Sequence, residues 1–140
     1  MTARVSPVVG VVIGALGMMI SGVSAQTPAP PAAASGVQRT VVQRGDVSVA
    51  GREAVTVRIE IAPNASTGRH THPGDEIDYV LEGQLEVTFD GQPPRVLKPG
   101  ESAIIPGGTI HTARNPETTP LKAVGVYVVE KGKPLTTPVQ

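Results

Sequence analysis

The sequence predicts an all-β domain, a sandwich or a barrel, and three observations predict it. Residues 54 to 61 alternate strictly, with Val55, Val57, Ile59 and Ile61 on one side and Thr56, Arg58 and Glu60 on the other. Short apolar runs elsewhere are cut at close intervals by turn residues, among them Glu82-Gly83, Asp90-Gly91, Lys98-Pro99-Gly100 and Pro106-Gly107-Gly108. No stretch sustains a helical period.

The strands follow in order. The domain begins near Val37, and its first alternating strand is residues 54 to 61. Ile77 to Leu81 forms the next, ended by Glu82-Gly83. Leu85, Val87 and Phe89 then alternate with Glu86 and Thr88 and run into Asp90-Gly91, a dipeptide suited to a tight hairpin because both residues tolerate positive φ. Short strands are expected at residues 95 to 97 and 102 to 105, and a long last strand at residues 121 to 129. About seven or eight short strands with turns at this spacing make a closed or two-layered β-fold.

A chain of 140 residues has room for one domain. Its formal net charge is zero, which offers no electrostatic pull toward nucleic acid or an anionic membrane. The chain contains no cysteine, so disulfides, thiolate metal sites and iron–sulfur clusters are excluded. Tyr79, Phe89 and Tyr127 are its whole aromatic complement.

The N-terminus reads as an export signal. Met1 to Arg4 give a positive start, Val5 to Ile20 an uncharged apolar run, and Val23-Ser24-Ala25 the small residues that a signal peptidase requires. Cleavage is expected after Ala25, giving a secreted or periplasmic protein. The apolar run is broken by Pro7 and glycines and falls short of the roughly 20 residues a spanning helix needs, so no stable membrane insertion is expected after cleavage. Residues 26 to 36 are rich in Pro and Ala and read as a tether, and residues 37 to 140 as the folded domain.

All three histidines have metal-binding logic. His70 and His72 are two apart in an extended chain and therefore point to one side. Glu76 follows the turn Pro73-Gly74 and can return a carboxylate to the same point, and His111 can face them from a separate strand. Three imidazoles and a carboxylate suit one divalent transition metal (Mn, Fe, Ni, Cu, Co or Zn) with positions open for water or substrate. The competing reading is three surface histidines and an ordinary salt-bridging glutamate. Alternation puts Asp78 and Val80 on the Glu76 face, with Ile77, Tyr79 and Leu81 opposite. Asp78 is then a candidate catalytic residue: a group behind the ligands, a substrate contact or a proton carrier, unless the barrel rim turns it into water. Arg58 and Glu60 read as solvated strand charges, and Asp75 as an exposed turn residue.

At these residues the sequence resembles the cupin superfamily, in its small single-domain form, through two spaced motifs. In the first, His70, His72, Glu76 and Gly83 match, while Asn64 stands where the family has a leading glycine. Asparagine is next best at tolerating a left-handed turn. In the second, Gly100, Pro106, Gly108, His111 and Asn115 match every position. The resemblance implies a double-stranded β-helix, or jelly roll, with a divalent metal near one end and a homodimer formed by sheet packing. Asn115 then reads as a strand-end hydrogen-bonding residue rather than a ligand.

Three functions follow from that resemblance. The first is a small metal-dependent oxygenase similar to the quercetinase-like cupins, acting on a small organic molecule. The second is a metal-dependent isomerase or lyase in which Asp78 transfers a proton. The third is a non-catalytic protein that binds or senses a metal or a small ligand. A strong acid–base pair deep in the pocket favours the isomerase or lyase. A pocket with no polar group beyond the ligands favours the other two.

Overall fold

A computed structural model describes Thr2 and residues 36 to 140. The expected signal peptide, apart from Thr2, and the expected tether, apart from Gly36, lie outside the described residues. Ten strands follow in order: β1 (Val37–Asp46), β2 (Arg52–Ile61), β3 (His70–Thr71), β4 (Gly74–Glu82), β5 (Leu85–Phe89), β6 (Arg95–Leu97), β7 (Ser102–Ile105), β8 (His111–Arg114), β9 (Leu121–Glu130) and β10 (Thr137–Pro138). They form two five-stranded antiparallel sheets, ordered β1-β2-β9-β4-β7 and β10-β3-β8-β5-β6. The two sheets enclose one apolar core, the double-stranded β-helix that the sequence predicts. Among the described residues no helix is long and apolar enough to cross a membrane.

Alternation sets the inner face. Val55, Val57, Ile59 and Ile61 of β2 are buried, while Arg58 and Glu60 stand half-exposed outside with 3.4 Å between Arg58 Nε and Glu60 Oε1. β9 lies between β2 and β4 and buries Leu121, Ala123, Tyr127 and Val129. On β4, Glu76, Asp78 and Val80 point inward, and Ile77, Tyr79 and Leu81 are exposed.

Two features depart from the sequence reading. β1 carries no apolar alternation, because it is an edge strand that buries only Val37 and gains its place from pairing with β2. Pro73-Gly74 is not a free-standing turn: Gly74 already belongs to β4 and pairs with Val129, so Asp75 is an exposed strand residue. A side chain at Gly74 would lie 2.2 Å from Val128 O, so only glycine lets β4 begin this early.

Asn64 has φ of 60°, the left-handed conformation expected where the motif has glycine. Asn115 is fully buried, and its amide donates to Ile61 O at 3.0 Å and Thr119 O at 2.8 Å. Its Oδ1 accepts from the Glu117 N–H at 3.0 Å. The side chain thereby ties the loop after β8 to the end of β2, the strand-end role expected of it.

Gly125 stands opposite Asp78 in the β4–β9 register. A methyl group there would lie 2.9 Å from Ile59 Cδ1 and 3.0 Å from the ring of Tyr127, both buried. Gly125→Ala is therefore expected to lower stability by about 1–3 kcal/mol through overpacking. An unchanged urea midpoint for that variant would contradict the packing described here.

Candidate metal centre

Three strands converge on one point. β3 pairs with β8 so that His70 and His111 are direct cross-strand neighbours, their ring centroids 4.3 Å apart. His72 follows β3 two residues after His70, and Glu76 projects from β4 in the facing sheet. The four side chains are at most 4% exposed, and one ligand atom from each lies within 4.8 Å of all the others. The expected set is thus assembled by both sheets, and these four residues could hold a metal ion.

The backbone sets the imidazole tautomers. His70 Nδ1 lies 2.9 Å from Gly68 O, His72 Nδ1 2.6 Å from Leu135 O, and His111 Nδ1 3.0 Å from Thr109 O. A carbonyl can only accept, so each Nδ1 carries the proton and donates it. Each Nε2 is left with a bare lone pair, the form in which histidine binds a metal. Burial, followed by the neighbouring His111 and His72, lowers the His70 pKa to about 4, which keeps this ring neutral.

The ligand atoms lack partners of their own. His72 Nε2 and Glu76 Oε2 are 2.9 Å apart, yet their orientation makes no hydrogen bond and both are buried without a partner. His111 Nε2 lies 3.3 Å from the same carboxylate oxygen. Buried polar atoms are normally satisfied, and separations near 3 Å are those kept by neighbouring ligands bonded at about 2.1 Å to one first-row ion. The residues present fit such an ion.

The loop after β7 locks the cluster. Gly107 packs against the backbone of Gly74, where a side chain would come within 2.8 Å of Gly74 Cα. The Gly108 N–H donates to His72 O at 2.9 Å, and the Gly107 N–H to Asp75 Oδ1 at 3.0 Å. The turn that leads into β8 and His111 is thus bonded to the segment that runs from His72 into β4 and Glu76.

Behind the ligands lies a narrow space walled by Ile59, Ile61, Leu85, Ala113 and Ala123. Its free volume of ≈ 10 Å³ is about the room of one water. Asp78 reaches this space, being 2% exposed, and its Oδ1 has no hydrogen-bond partner. Burial, then the charge of Glu76, raises its pKa well above the ordinary value. A larger depression of ≈ 700 Å³ lies against the turn at Gly107. Its lining includes His72 but none of the other three candidate ligands, so it is not the ligand-facing cavity.

Tyr127 was not foreseen from sequence. It pairs with Glu76 across β4 and β9, is 1% exposed, and stacks edge-on to His72 with centroids 4.9 Å apart. Burial, then the charges of Glu76 and Asp78, raises the pKa of its phenol and keeps it protonated. Valines on both faces of β9 hide which side is inward, so alternation alone could not find it. Only the register with β4 does so.

The segment from residue 57 to residue 129 matches the family model described as the cupin domain. The chain belongs to the cupin family. This cupin is 42% identical over 45 residues to the dimethylsulfoniopropionate lyase DddQ of Ruegeria pomeroyi, a match covering 32% of this chain and 22% of that one. The chain spans less than half the length of the curated relatives it matches. Among solved structures it is similar to the polyketide cyclase RemF of Streptomyces resistomycificus, with 26% identity, a TM-score of 0.61, and coverage of 77% of this chain and 74% of that one. It is also similar to an oxalate oxidase bound to the substrate analogue glycolate, with 26% identity, a TM-score of 0.59, and coverage of 74% and 55%.

An ion held by this cluster binds only the folded cupin and so raises its stability by mass action. Chelation is expected to lower the melting temperature. His72→Ala and His111→Ala should abolish most of that difference while the β-rich circular dichroism remains. Metal affinity in both variants equal to the parent's would refute the ligand assignment.

Proposed function

We propose that this cupin is a metal-dependent enzyme that moves a proton on a small organic substrate, with Asp78 as the proton carrier. The ion is one divalent transition metal held by His70, His72, Glu76 and His111. The observation that carries this reading is the Asp78 carboxyl, buried in the same space as His70, Glu76 and His111 with an oxygen that nothing among the described residues satisfies. An unsatisfied buried carboxyl costs stability, and a substrate atom entering that space would supply its partner.

When bound, the ion supplies Lewis-acid polarisation of a substrate oxygen. The chain supplies the rest. Asp78 stands one strand step beyond Glu76 on the same face, so it can give or take a proton at an atom next to a polarised oxygen. The apolar walls keep bulk water from competing for that proton. Tyr127 fills the space beside Glu76 and fixes the carboxylate's orientation. The narrow free volume admits a small reactive group rather than a fused ring system.

A second reading, oxidation of a small substrate, is supported by the likeness to the oxalate oxidase. It uses the same four ligands and assigns Asp78 only the task of supporting a ligand. The proposal includes export: the signal is cleaved after Ala25, and the ion is taken up outside the cytoplasm, by the secreted or periplasmic protein.

Asp78→Asn separates the two readings. If Asp78 carries protons, metal content and melting temperature are retained while turnover falls by about 10²-fold or more. If it only supports a ligand, metal affinity weakens by about 10- to 100-fold instead. Turnover at the parental rate in the Asn variant would end the proton-transfer reading.

A further inference from the structure

Arg39 is a cation on the inner side of the barrel. It belongs to the edge strand β1 and is paired directly with Ile59 of β2. Residues opposite each other in an antiparallel pair share a face, and Ile59 faces the core with 6% exposure. Arg39 accordingly lines the same space as His70, Glu76, Asp78 and His111, while remaining exposed at its mouth. Its charge is felt by Asp78 and by Tyr127, opposing the upward push of burial on both.

Among the described residues no side chain pairs with this guanidinium. Arg44, further along β1, holds Glu53 at 2.9 Å, and Arg58 on the outer face of β2 lies 3.4 Å from Glu60. Among the described residues no carboxylate comes within 4.0 Å of Arg39. Apart from the candidate ligands, the other polar group in the space without a partner is the Asp78 carboxyl, fully buried and aimed into it. Arg39 and Asp78 therefore both line a narrow, largely apolar space beside the candidate metal ligands.

We propose that Arg39 seats the carboxylate of a small organic acid whose other end reaches the metal cluster. The planar guanidinium fork matches a carboxylate with two parallel hydrogen bonds, which a lysine cannot do. The ≈ 10 Å³ of free volume beside the ligands is room for about one oxygen-sized group, so only a terminal oxygen of such a molecule enters and its charged end stays at the mouth, where Arg39 is. The substrate class is then an acid with a second oxygen function. This deepens the proposed function and rests on its metal-loaded site, but not on turnover.

The test is titration calorimetry of the metal-loaded protein with oxalate, malonate, succinate and glutarate, each compared with its half-amide. At least one diacid is expected to bind about 10-fold or more tightly than its half-amide, the usual scale for a hydrogen-bonded charge pair. Arg39→Gln should erase that preference with metal content and melting temperature unchanged, and Arg39→Lys should keep part of it. A parent protein that prefers no diacid would overturn the proposal, as would an Arg39→Gln variant that keeps the preference. If that variant only aggregates faster, at parental diacid affinity, then Arg39 merely guards the sheet edge and the proposal fails. A diacid preference that depends on Arg39 in a protein that turns nothing over would refute proton transfer and leave the anion seat intact.

Discussion

Three bare imidazole nitrogens and a carboxylate, all within 4.8 Å and shut away from water, repel one another unless a cation lies between them. The rest of the structure is organised around that constraint. Each imidazole proton is drawn to the far nitrogen by a backbone carbonyl, so the near lone pairs have no donor of their own to share. Protonation relieves the repulsion poorly, because burial holds the His70 ring neutral down to about pH 4. An ion held here would therefore add directly to folding stability.

The fold supplies that convergence through close backbone contacts rather than a large core. Gly74 lets β4 start against β9, Gly107 lets the turn before β8 rest on Gly74, and the Gly108 N–H closes on His72 O. Gly125 vacates the volume that Ile59 and the Tyr127 ring occupy under Asp78. Asn115 anchors the loop after β8 to the end of β2 by one hydrogen bond to Ile61 O and braces that loop by two more. These residues supply no ligand atom, yet a displacement of any one moves a segment that carries a candidate ligand or Asp78.

Much of this is legible in the sequence. His70, His72 and Glu76 declare themselves through spacing, since a two-residue period puts both imidazoles on one face and the strand then brings Glu76 back. Asp78 follows from the same alternation and does lie inside. Other residues are hidden for physical reasons. Tyr127 sits in a strand whose two faces are both apolar, so its direction depends on a long-range register with Glu76. Arg39 lies in a strand with no apolar period, held by pairing alone. Pro73-Gly74 reads as a turn because local preference favours one, whereas the tight approach of Val128 O requires the glycine within a strand.

The claim on which all of this depends is that a single ion is bound by every histidine in the chain. X-ray absorption spectroscopy of the metal-loaded protein measures that most directly, because imidazole rings bound to a metal give characteristic outer-shell scattering. The account predicts a first shell of nitrogen and oxygen only, with ring scattering from three imidazoles. A spectrum requiring one imidazole or none would contradict it.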